Sequence, residues 1–417
     1  MQLQTILNRV EKYKSFVYGR VRLVDHAERL TMEVEIRERR NGRAICSGCG
    51  EHRPGYDRLP PRRYEFVPLW GILVFFVYAP RRVDCPGCGV TVEQVPWCEG
   101  KHQLTTTYRW FLARWAKRMS WRDVAVAFHT SWEHVFRSVK HAVSWGLARQ
   151  DLRGIRAIGV DEIQWKRGHH YLTLVYQIED GLKRLVWVGR ERTEASLAGF
   201  FDLLGRRRSR AIRFICSDMW APYLSVIAAR ALRAVHVLDR FHIMQMFGKA
   251  IDEIRAQEAR QLKADGYEPV LKHAKWCLLK RPENLTEKQA VKLAELLRYN
   301  LRSVRAYLLR DDFQQFWDYR DPEAAGQFLD EWCTRTLRTR LDPLKKVVRT
   351  LRGHRELILN WFRARGTISA GVVEGLNSRV KLTMRKSFGF RTPDAVETAL
   401  FHTLGRLPEP EFTHEFC

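Results

Sequence analysis

Residues 155–162 read Ile-Arg-Ala-Ile-Gly-Val-Asp-Glu, an alternating apolar segment that runs into two adjacent acids. Alternation of this kind predicts a strand, and two more such segments follow it. They are Tyr171-Leu-Thr-Leu-Val-Tyr-Gln-Ile178 and Lys183-Arg-Leu-Val-Trp-Val-Gly189, with Asp180-Gly181 as the hairpin turn between them. A helix capped by Thr193 is then expected over 193–204. A strand over 211–216, a helix over 220–232 and a strand over 234–238 follow. The order β-β-β-α-β-α-β predicts three antiparallel strands continued by strand–helix units in one mixed sheet.

An RNase H-like sheet has this order. In such a sheet, useful acids lie where strands end and helices begin. Asp161 is expected at the end of the first strand, with Glu162 on the opposite face. Asp218 follows the fourth strand, and strands one and four are neighbours, so the two aspartates can meet. A third acid is expected from a later helix, and Glu374 in Ser369-Ala-Gly-Val-Val-Glu-Gly-Leu-Asn377 is the best candidate. That helix splits into an apolar stripe (Val373, Leu376, Val380, Met384) and a polar one (Glu374, Asn377 or Ser378, Lys381, Arg385). Three carboxylates suit hard divalent cations, Mg²⁺ or Mn²⁺, held through oxygen. Two such ions would serve phosphoryl transfer, with Asp161 and Asp218 sharing them and Glu374 completing the second site. Asp239, in Leu238-Asp-Arg-Phe-His242, also follows a strand and competes for a place. It reads as a site-adjacent residue that orients its neighbours together with His242.

The nine cysteines are an odd number in a long chain, which fits a reducing compartment. Four form the pairs Cys46-Ser-Gly-Cys49 and Cys85-Pro-Gly-Cys88, each followed by glycine (Gly50, Gly89). Two such knuckles supply the four tetrahedral thiolates of a structural Zn²⁺. Cys98, His52 and His102 stay open as substitute ligands. Cys216, Cys277, Cys333 and Cys417 read as small hydrophobes.

Residues 104–150 read as all helical. A helix over 107–119 precedes a short one from Trp121 to Phe128, which Ser120 can cap with Asp123 reaching back. His129-Thr130-Ser131 breaks it, and a longer helix runs from Trp132 to Leu147. The spacing matches a helix-turn-helix, with Val135, Val139 and Val143 inward and Trp132, Glu133, Arg137 and Lys140 outward.

The chain has 417 residues, with 72 Lys+Arg against 47 Asp+Glu, a formal net charge of +25. Apolar residues make up 45%, which rules out a disordered chain. The pI near 10.0 favours a polyanionic partner, nucleic acid before an anionic membrane. The apolar run from Phe66 to Ala79 spans 14 residues, contains Pro68 and Gly71, and reads as one or two buried strands. A membrane span needs about 20 apolar residues. The N-terminus lacks the layout of a signal peptide, so a cytoplasmic protein is expected. Positive charge gathers at Arg206, Arg207, Arg208 and Arg210, and along Arg335 to Arg355, where eight basic residues face one acid, Asp342. Arg379, Lys381, Arg385, Lys386 and Arg391 follow the third acid. Each cluster reads equally as a solvated helix face or as a phosphate contact. Residues 240–365 are strongly helical, and their tryptophans (276, 317, 332, 361) read as core rather than as base-stacking platforms.

The motifs Gly159-Val-Asp-Glu162 with Trp165 and Gly168-His169, then Ser217-Asp218, Leu238-Asp-Arg-Phe-His242, Val373-Glu-Gly-Leu-Asn377 and Phe388-Gly-Phe390 occur in that order. Together with CSGCG and CPGCG, they resemble the ISL-three family of bacterial insertion-sequence transposases, over about residues 41–405. The resemblance implies a zinc-finger and helix-turn-helix region that binds terminal inverted repeats. It also implies an RNase H-like DDE domain with a helical insertion, and places Asp161, Asp218 and Glu374 on the three acidic positions. A metal-dependent transposase acting in the bacterial cytoplasm on double-stranded DNA, at least dimeric on it and nucleoid-associated, is the expectation.

The expected fold class is α/β. A region over 1–102 contains the zinc module (about 41–100), and a helix-turn-helix domain covers 103–150. The RNase H-like domain covers 151–405, interrupted by an all-helical insertion at about 245–365, and a tail covers 406–417. DNA contacts are expected from Trp132, Arg137, Lys140, Arg207, Arg208, Asn377, Arg379, Lys381, Arg385 and Lys386. Two rivals stand beside this reading: a zinc and helix-turn-helix regulator with a dead catalytic domain, and a structure-selective nuclease that cuts without joining.

Overall fold

The structure is a computed structural model and describes residues 3–26, 29–179, 181–364, 370–387 and 389–411. Asp180, Ser369, Phe388 and Cys417, singled out above, lie outside the described residues. The chain forms two compact units: residues 1–151 with 382–417, and residues 152–381.

The first unit begins with α1 (Leu3–Val10), β1 (Phe16–His26) and β2 (Arg29–Glu38). The short β3 (Ala44–Ile45), β4 (His52–Arg53) and β5 (Gly55–Arg58) come next, then β6 (Arg62–Leu69), β7 (Ile72–Tyr78), β8 (Arg81–Cys85) and β9 (Gly89–Val92). Strands β1, β2, β7 and β6 make one sheet in that order. Met32, Val34 and Ile36 alternate into its core, while Glu33 and Glu35 point the other way. The apolar run at 66–79 is a strand pair that turns at Trp70-Gly71, where both residues have positive φ (53° and 79°). Trp97 is the keystone of this core, with the rings of Phe16, Tyr64 and Tyr78 edge-on to it at 4.9, 5.9 and 5.3 Å. Strands β5, β8 and β9 form a separate small sheet next to the cysteines. Helices α2 (Thr106–Arg118), α3 (Trp121–Ala127) and α4 (Trp132–Leu147) complete this stretch.

The second unit is built on β10 (Ala157–Lys166), β11 (His170–Glu179), β12 (Leu182–Arg190), α5 (Glu194–Leu204), α6 (Arg206–Ser209), β13 (Phe214–Ser217), α7 (Ala221–Arg230) and β14 (Val235–Leu238). The sheet order is β12-β11-β10-β13-β14, antiparallel across the first three strands and parallel across the last three. One face buries Ile158, Val160, Val175 and Val186 against Leu197, Phe200 and Phe201 of α5 and Tyr223 and Ile227 of α7. Strand β10 does not end at Asp161 as expected but runs to Lys166, because its antiparallel ladder with β11 continues to the pair Lys166–His170.

The helical part comprises α8 (Arg240–Ala264), α9 (Lys275–Leu279), α10 (Glu287–Leu296), α11 (Arg302–Gln314), α12 (Pro322–Leu337), α13 (Asp342–Gly353) and α14 (Arg355–Arg363), with no strand among the described residues. Phe247, Phe313, Phe316 and Trp332 centre its core, which reaches the sheet through Leu238. Trp317 and Trp332 are buried as expected, whereas Trp276 stands exposed. Helix α15 (Ala370–Lys386) closes this unit and continues into the first, which ends with α16 (Pro393–Leu404). Among the described residues no helix is long and apolar enough to cross a membrane.

Long helices need anchors as well as cores. The buried Glu258 carboxylate of α8 accepts from the backbone N–H of Arg302 (2.6 Å) and Ser303 (2.8 Å) and from the Ser303 hydroxyl (2.5 Å). It therefore caps the N-terminus of α11 from a neighbouring helix. Glu258→Ala leaves those donors unsatisfied, and a loss of about 1–3 kcal/mol is expected in urea unfolding. A change within measurement error would show that the cap contributes nothing.

Candidate active site and metal centre

The parallel ladders fix the register of the acids. Gly159 pairs with Cys216, Cys216 with Val237, and Ser217 with Leu238. Two steps beyond Gly159 and Cys216 stand Asp161 and Asp218, and Asp239 stands one step beyond Leu238. The Asp239 N–H extends the ladder by bonding the Ser217 carbonyl at 2.8 Å. The three aspartates thus form one row just beyond the last parallel pairs, midway along β10 and at the C-terminal ends of β13 and β14, where sites gather in parallel sheets. They are 9, 8 and 7% exposed. Burying like charges together is costly unless each finds partners.

Each aspartate has them. Asp161 accepts the Glu162 N–H at 2.8 Å and the side-chain amide of Asn377 on α15. Tyr176 donates to the Asn377 carbonyl at 2.7 Å, which sets the amide so that its NH₂ faces the carboxylate. Asp218 accepts the Trp220 N–H at 3.2 Å and Arg192 at 3.1 Å. The same Arg192 nitrogen lies 3.0 Å from Glu162, and its guanidinium stacks 4.4 Å from the Trp220 ring centroid. Asp239 caps α8 by accepting the Phe241 N–H at 2.8 Å, and its other oxygen lies 2.9 Å from His242 Nδ1.

The protonation equilibria record this crowding. Burial raises the Asp161 carboxyl above its usual range, opposed by the Glu162 N–H, His242 and Asn377. Glu162 is pushed up to about 7 by burial and by Asp218 beside it. His242 is pushed up to about 9 by its hydrogen bond to Asp239, with burial working against the shift. Glu162 keeps the far face expected of it, where its cross-strand partner Thr173 hydrogen-bonds Tyr223 of α7, and Arg192 ties it to Asp218. Beyond Gly159 no strand flanks β10 on the β13 side, and Arg192 bridges the gap there. Strand alternation gave the face of Glu162, and the paired acids at 161–162 were a signal of its closeness to the site. Nothing in the sequence marked Arg192.

Glu374 is exposed on α15, one turn before Asn377. Val373 beside it is buried against Gly159, and a Cβ at Gly159 would overlap it, so glycine lets α15 seat on β10. Val373, Leu376 and Val380 face inward, and Glu374, Ser378, Lys381 and Arg385 are exposed, as the helical stripe predicts. Asn377, expected to contact DNA, is engaged with Asp161 and Tyr176. Arg207, Arg208 and Arg379 are exposed, and half-buried Lys386 reaches the Lys117 carbonyl at 3.4 Å.

Among the described residues only Cys46, Cys49, Cys85 and Cys88 form a group whose ligand atoms all lie within 4.8 Å of one another. The sulfurs of Cys49 and Cys85 are 3.7 Å apart, close to the ~3.8 Å edge of a tetrahedron with 2.3 Å zinc–sulfur bonds. Gly50 and Gly89 take positive φ (77° and 70°), as a knuckle requires, and a Cβ at Gly48 would come 2.8 Å from the Cys88 sulfur. Hydrogen bonds from Thr91 and from backbone N–H groups lower Cys46 to about 6, whereas the neighbouring Cys85 and Cys46 push Cys88 up to about 12. Four thiols so placed cannot all ionise without a cation among them, and the donor set fits zinc. Cys98 lies elsewhere, its thiol donating to the His102 carbonyl at 2.8 Å, and neither His52 nor His102 joins the cluster.

The helical stretch carries its expected caps. Ser120 and Ser131 accept the N–H groups of Asp123 and His134, and His129 between the helices has φ of 52°. Val135, Val139 and Val143 are buried and Trp132 is exposed. Arg137 pairs with Glu133 at 2.6 Å, and Lys140 pairs with Asp394 of α16 at 2.8 Å.

The family model for ISL-three DDE transposases, described as a transposase, matches residues 158–400. The chain is 27% identical over 350 residues to the transposase for insertion sequence element IS1001 of Bordetella parapertussis, covering 83% of this chain and 85% of that one. It is 29% identical over 395 residues to the transposase for insertion sequence element IS1557 of Mycobacterium tuberculosis, covering 86% and 85%.

The Asp239–His242 pair has a pH signature. A histidine raised from 6.5 to about 9 contributes stability that is full below pH 6.5 and lost as the pH rises through about 9. The stability difference between the protein and its His242→Gln variant should therefore shrink over that window in urea melts. A difference constant from pH 6 to 10 would sink the ion pair.

Proposed function

The chain belongs to the ISL-three family of transposases, and we propose that it cuts and joins DNA at the ends of an insertion sequence, with Asp161, Asp218 and Glu374 as its metal-binding acids. The observation that carries this reading is the row of carboxylates just beyond the last parallel pairs of β10, β13 and β14, with α15 seated beside it through Asn377. The sheet order supports reading this part as an RNase H-like domain, with the helices from α8 to α14 as its insertion.

Asp161 and Asp218 offer hard oxygen donors in adjacent positions, which suits Mg²⁺ or Mn²⁺. Two such ions, when bound, activate the attacking oxygen and stabilise the leaving one. The chain's own groups do the rest. Tyr176 and Asn377 orient the Asp161 carboxylate. Asp239 and His242 fix the start of α8 beside it and place a positive charge near the acids. Arg192 offsets the charge of Asp218 and Glu162. Glu374 faces solvent, free to turn toward a cation that the aspartates hold. Water would attack the phosphodiester at the element's end and leave a 3′-hydroxyl, which would then attack target DNA in line, with no covalent protein intermediate.

Recognition of the terminal inverted repeats falls to α4, through Trp132 and Arg137. Lys140 would have to exchange Asp394 for a phosphate. Arg207, Arg208, Arg379, Lys381, Arg385 and Lys386 supply further phosphate contacts, so binding weakens steeply with salt. Zn²⁺ on Cys46, Cys49, Cys85 and Cys88 holds the small module together. The protein works in the bacterial cytoplasm on nucleoid DNA, as at least a dimer that bridges two ends.

Asp161→Asn, Asp218→Asn and Glu374→Gln should each lower Mg²⁺-dependent cleavage and strand transfer by about a thousandfold or more, with end binding unchanged. Full activity of Glu374→Gln would move the third ligand to Glu162 or Asp239. Pre-cleaved ends that yield no joined product would make the enzyme a nuclease. The purified protein should carry zinc in a one-to-one ratio by elemental analysis, lost in Cys46→Ser and Cys85→Ser. Retention of zinc in both variants would refute the site.

A further inference from the structure

The helical part of the second unit holds a groove that the acid row does not use. It has a volume of about 600 Å³, ordinary for a small-ligand site, and is lined by Phe241, Gln245, Gly248, Trp276, Leu279 and Arg310. Trp276 is 55% exposed, whereas Trp317 and Trp332 are buried. Phe241, on a different helix, is 49% exposed. Its N–H is the one that Asp239 caps, so the groove's lining begins two positions along the chain from the acid row.

The charge around the groove is positive. Lys249, Lys275 and Arg281 stand on its rim, against one acid, Asp252, which already pairs with Lys275 and Arg255. Lys249 and Arg281 make no ion pair among the described residues. Arg310 is 4% exposed and donates to the carbonyls of Leu278 (3.0 Å), Leu279 (2.9 Å) and Lys280 (3.3 Å). These bonds pin the C-terminal end of α9, and with it the backbone that carries Trp276. No carboxylate pairs with Arg310 among the described residues, and its Nε is buried without a partner. Its guanidinium also lies 5.0 Å from the Tyr307 ring centroid, and Asp311 offsets part of its charge, so Arg310 adds to the positive field around the groove while holding α9. A Cβ at Gly248 would meet nothing within 4 Å, so the groove is open at that point and only a long side chain there would fill it.

We propose that this groove receives one unpaired nucleotide of the DNA strand held at the acid row, its base against Trp276 and Phe241 and its phosphate toward Lys249 and Arg281. Within DNA, it is a nucleotide drawn out of the duplex that presents a flat apolar face and an anion together. Stacking on aromatic rings tolerates any base, which suits a strand end rather than a read sequence. The proposal rests on the reading of the acid row as a DNA-cutting centre.

The test measures fluorescence anisotropy of the full chain without added divalent cation, so that no cutting is involved. The probes are a blunt duplex, the same duplex with a short thymidine overhang, and one whose overhang is abasic. The overhang should bind about tenfold more tightly than the blunt end, and the abasic overhang should lose that gain. Trp276→Ala and Gly248→Leu should abolish the preference and leave blunt-duplex affinity unchanged, and Gly248→Ala should keep it. A preference that survives Trp276→Ala or Gly248→Leu would overturn the proposal. So would equal binding of blunt and overhanging ends by the unsubstituted protein, or displacement of the overhang by poly-glutamate as readily as by oligothymidine. Failure of the DNA-cutting reading shows separately, as cleavage that persists in Asp161→Asn.

Discussion

The parallel pairing of β10 with β13 and of β13 with β14 is the constraint on which the second unit depends. It lines up Asp161, Asp218 and Asp239 across three strands that lie up to about eighty residues apart in the chain. No local rule could do this. A one-residue slip in either ladder would turn one aspartate to the opposite face and scatter the row. The burial of Ile158, Val160 and Val186 against α5 and α7 holds that register, because a slip would expose these side chains.

The row creates an electrostatic problem that the neighbouring side chains solve in part. Three buried carboxylates with Glu162 beside them repel one another, and the solvent cannot screen them. Arg192 and the raised His242 supply cationic compensation, and Asn377 with Tyr176 supplies hydrogen bonds. Divalent cations at the proposed site would complete the balance. The cysteine cluster poses the problem with softer donors. There too, thiols brought close by two glycine-ended turns leave Cys88 protonated unless a cation arrives.

Much of this was legible in the residues themselves. Alternation marked β10, β11 and β12, cap residues marked the helices at 106–147, and the paired Cys-x-x-Cys turns marked the closed thiol cluster. Other features were not. The end of β10 was placed too early at Asp161, because the strand continues on pairing with β11 that no local pattern announces. Glu162 keeps the face opposite Asp161 that alternation predicts, but its link to Asp218 through Arg192 was not legible, since it forms where β10 loses its pairing with β13 after Gly159. Trp276 read as core because a tryptophan in a helical, leucine-rich stretch is most often buried, yet it stands in solvent on the short α9.

The sequence by itself determined the periodicities, the turn chemistry and the donor types: which segments become strands or helices, which glycines must take positive φ, and which thiols and carboxylates are available. These depend on neighbours within a few residues, where sterics and hydrogen bonding act directly. Only the tertiary structure decided which donors meet. It placed Asn377 on Asp161, Arg192 between Glu162 and Asp218, and Asp394 of α16 on Lys140. Such pairs form between segments far apart in the chain, and their geometry is set by how the buried faces pack rather than by any pattern the segments carry alone.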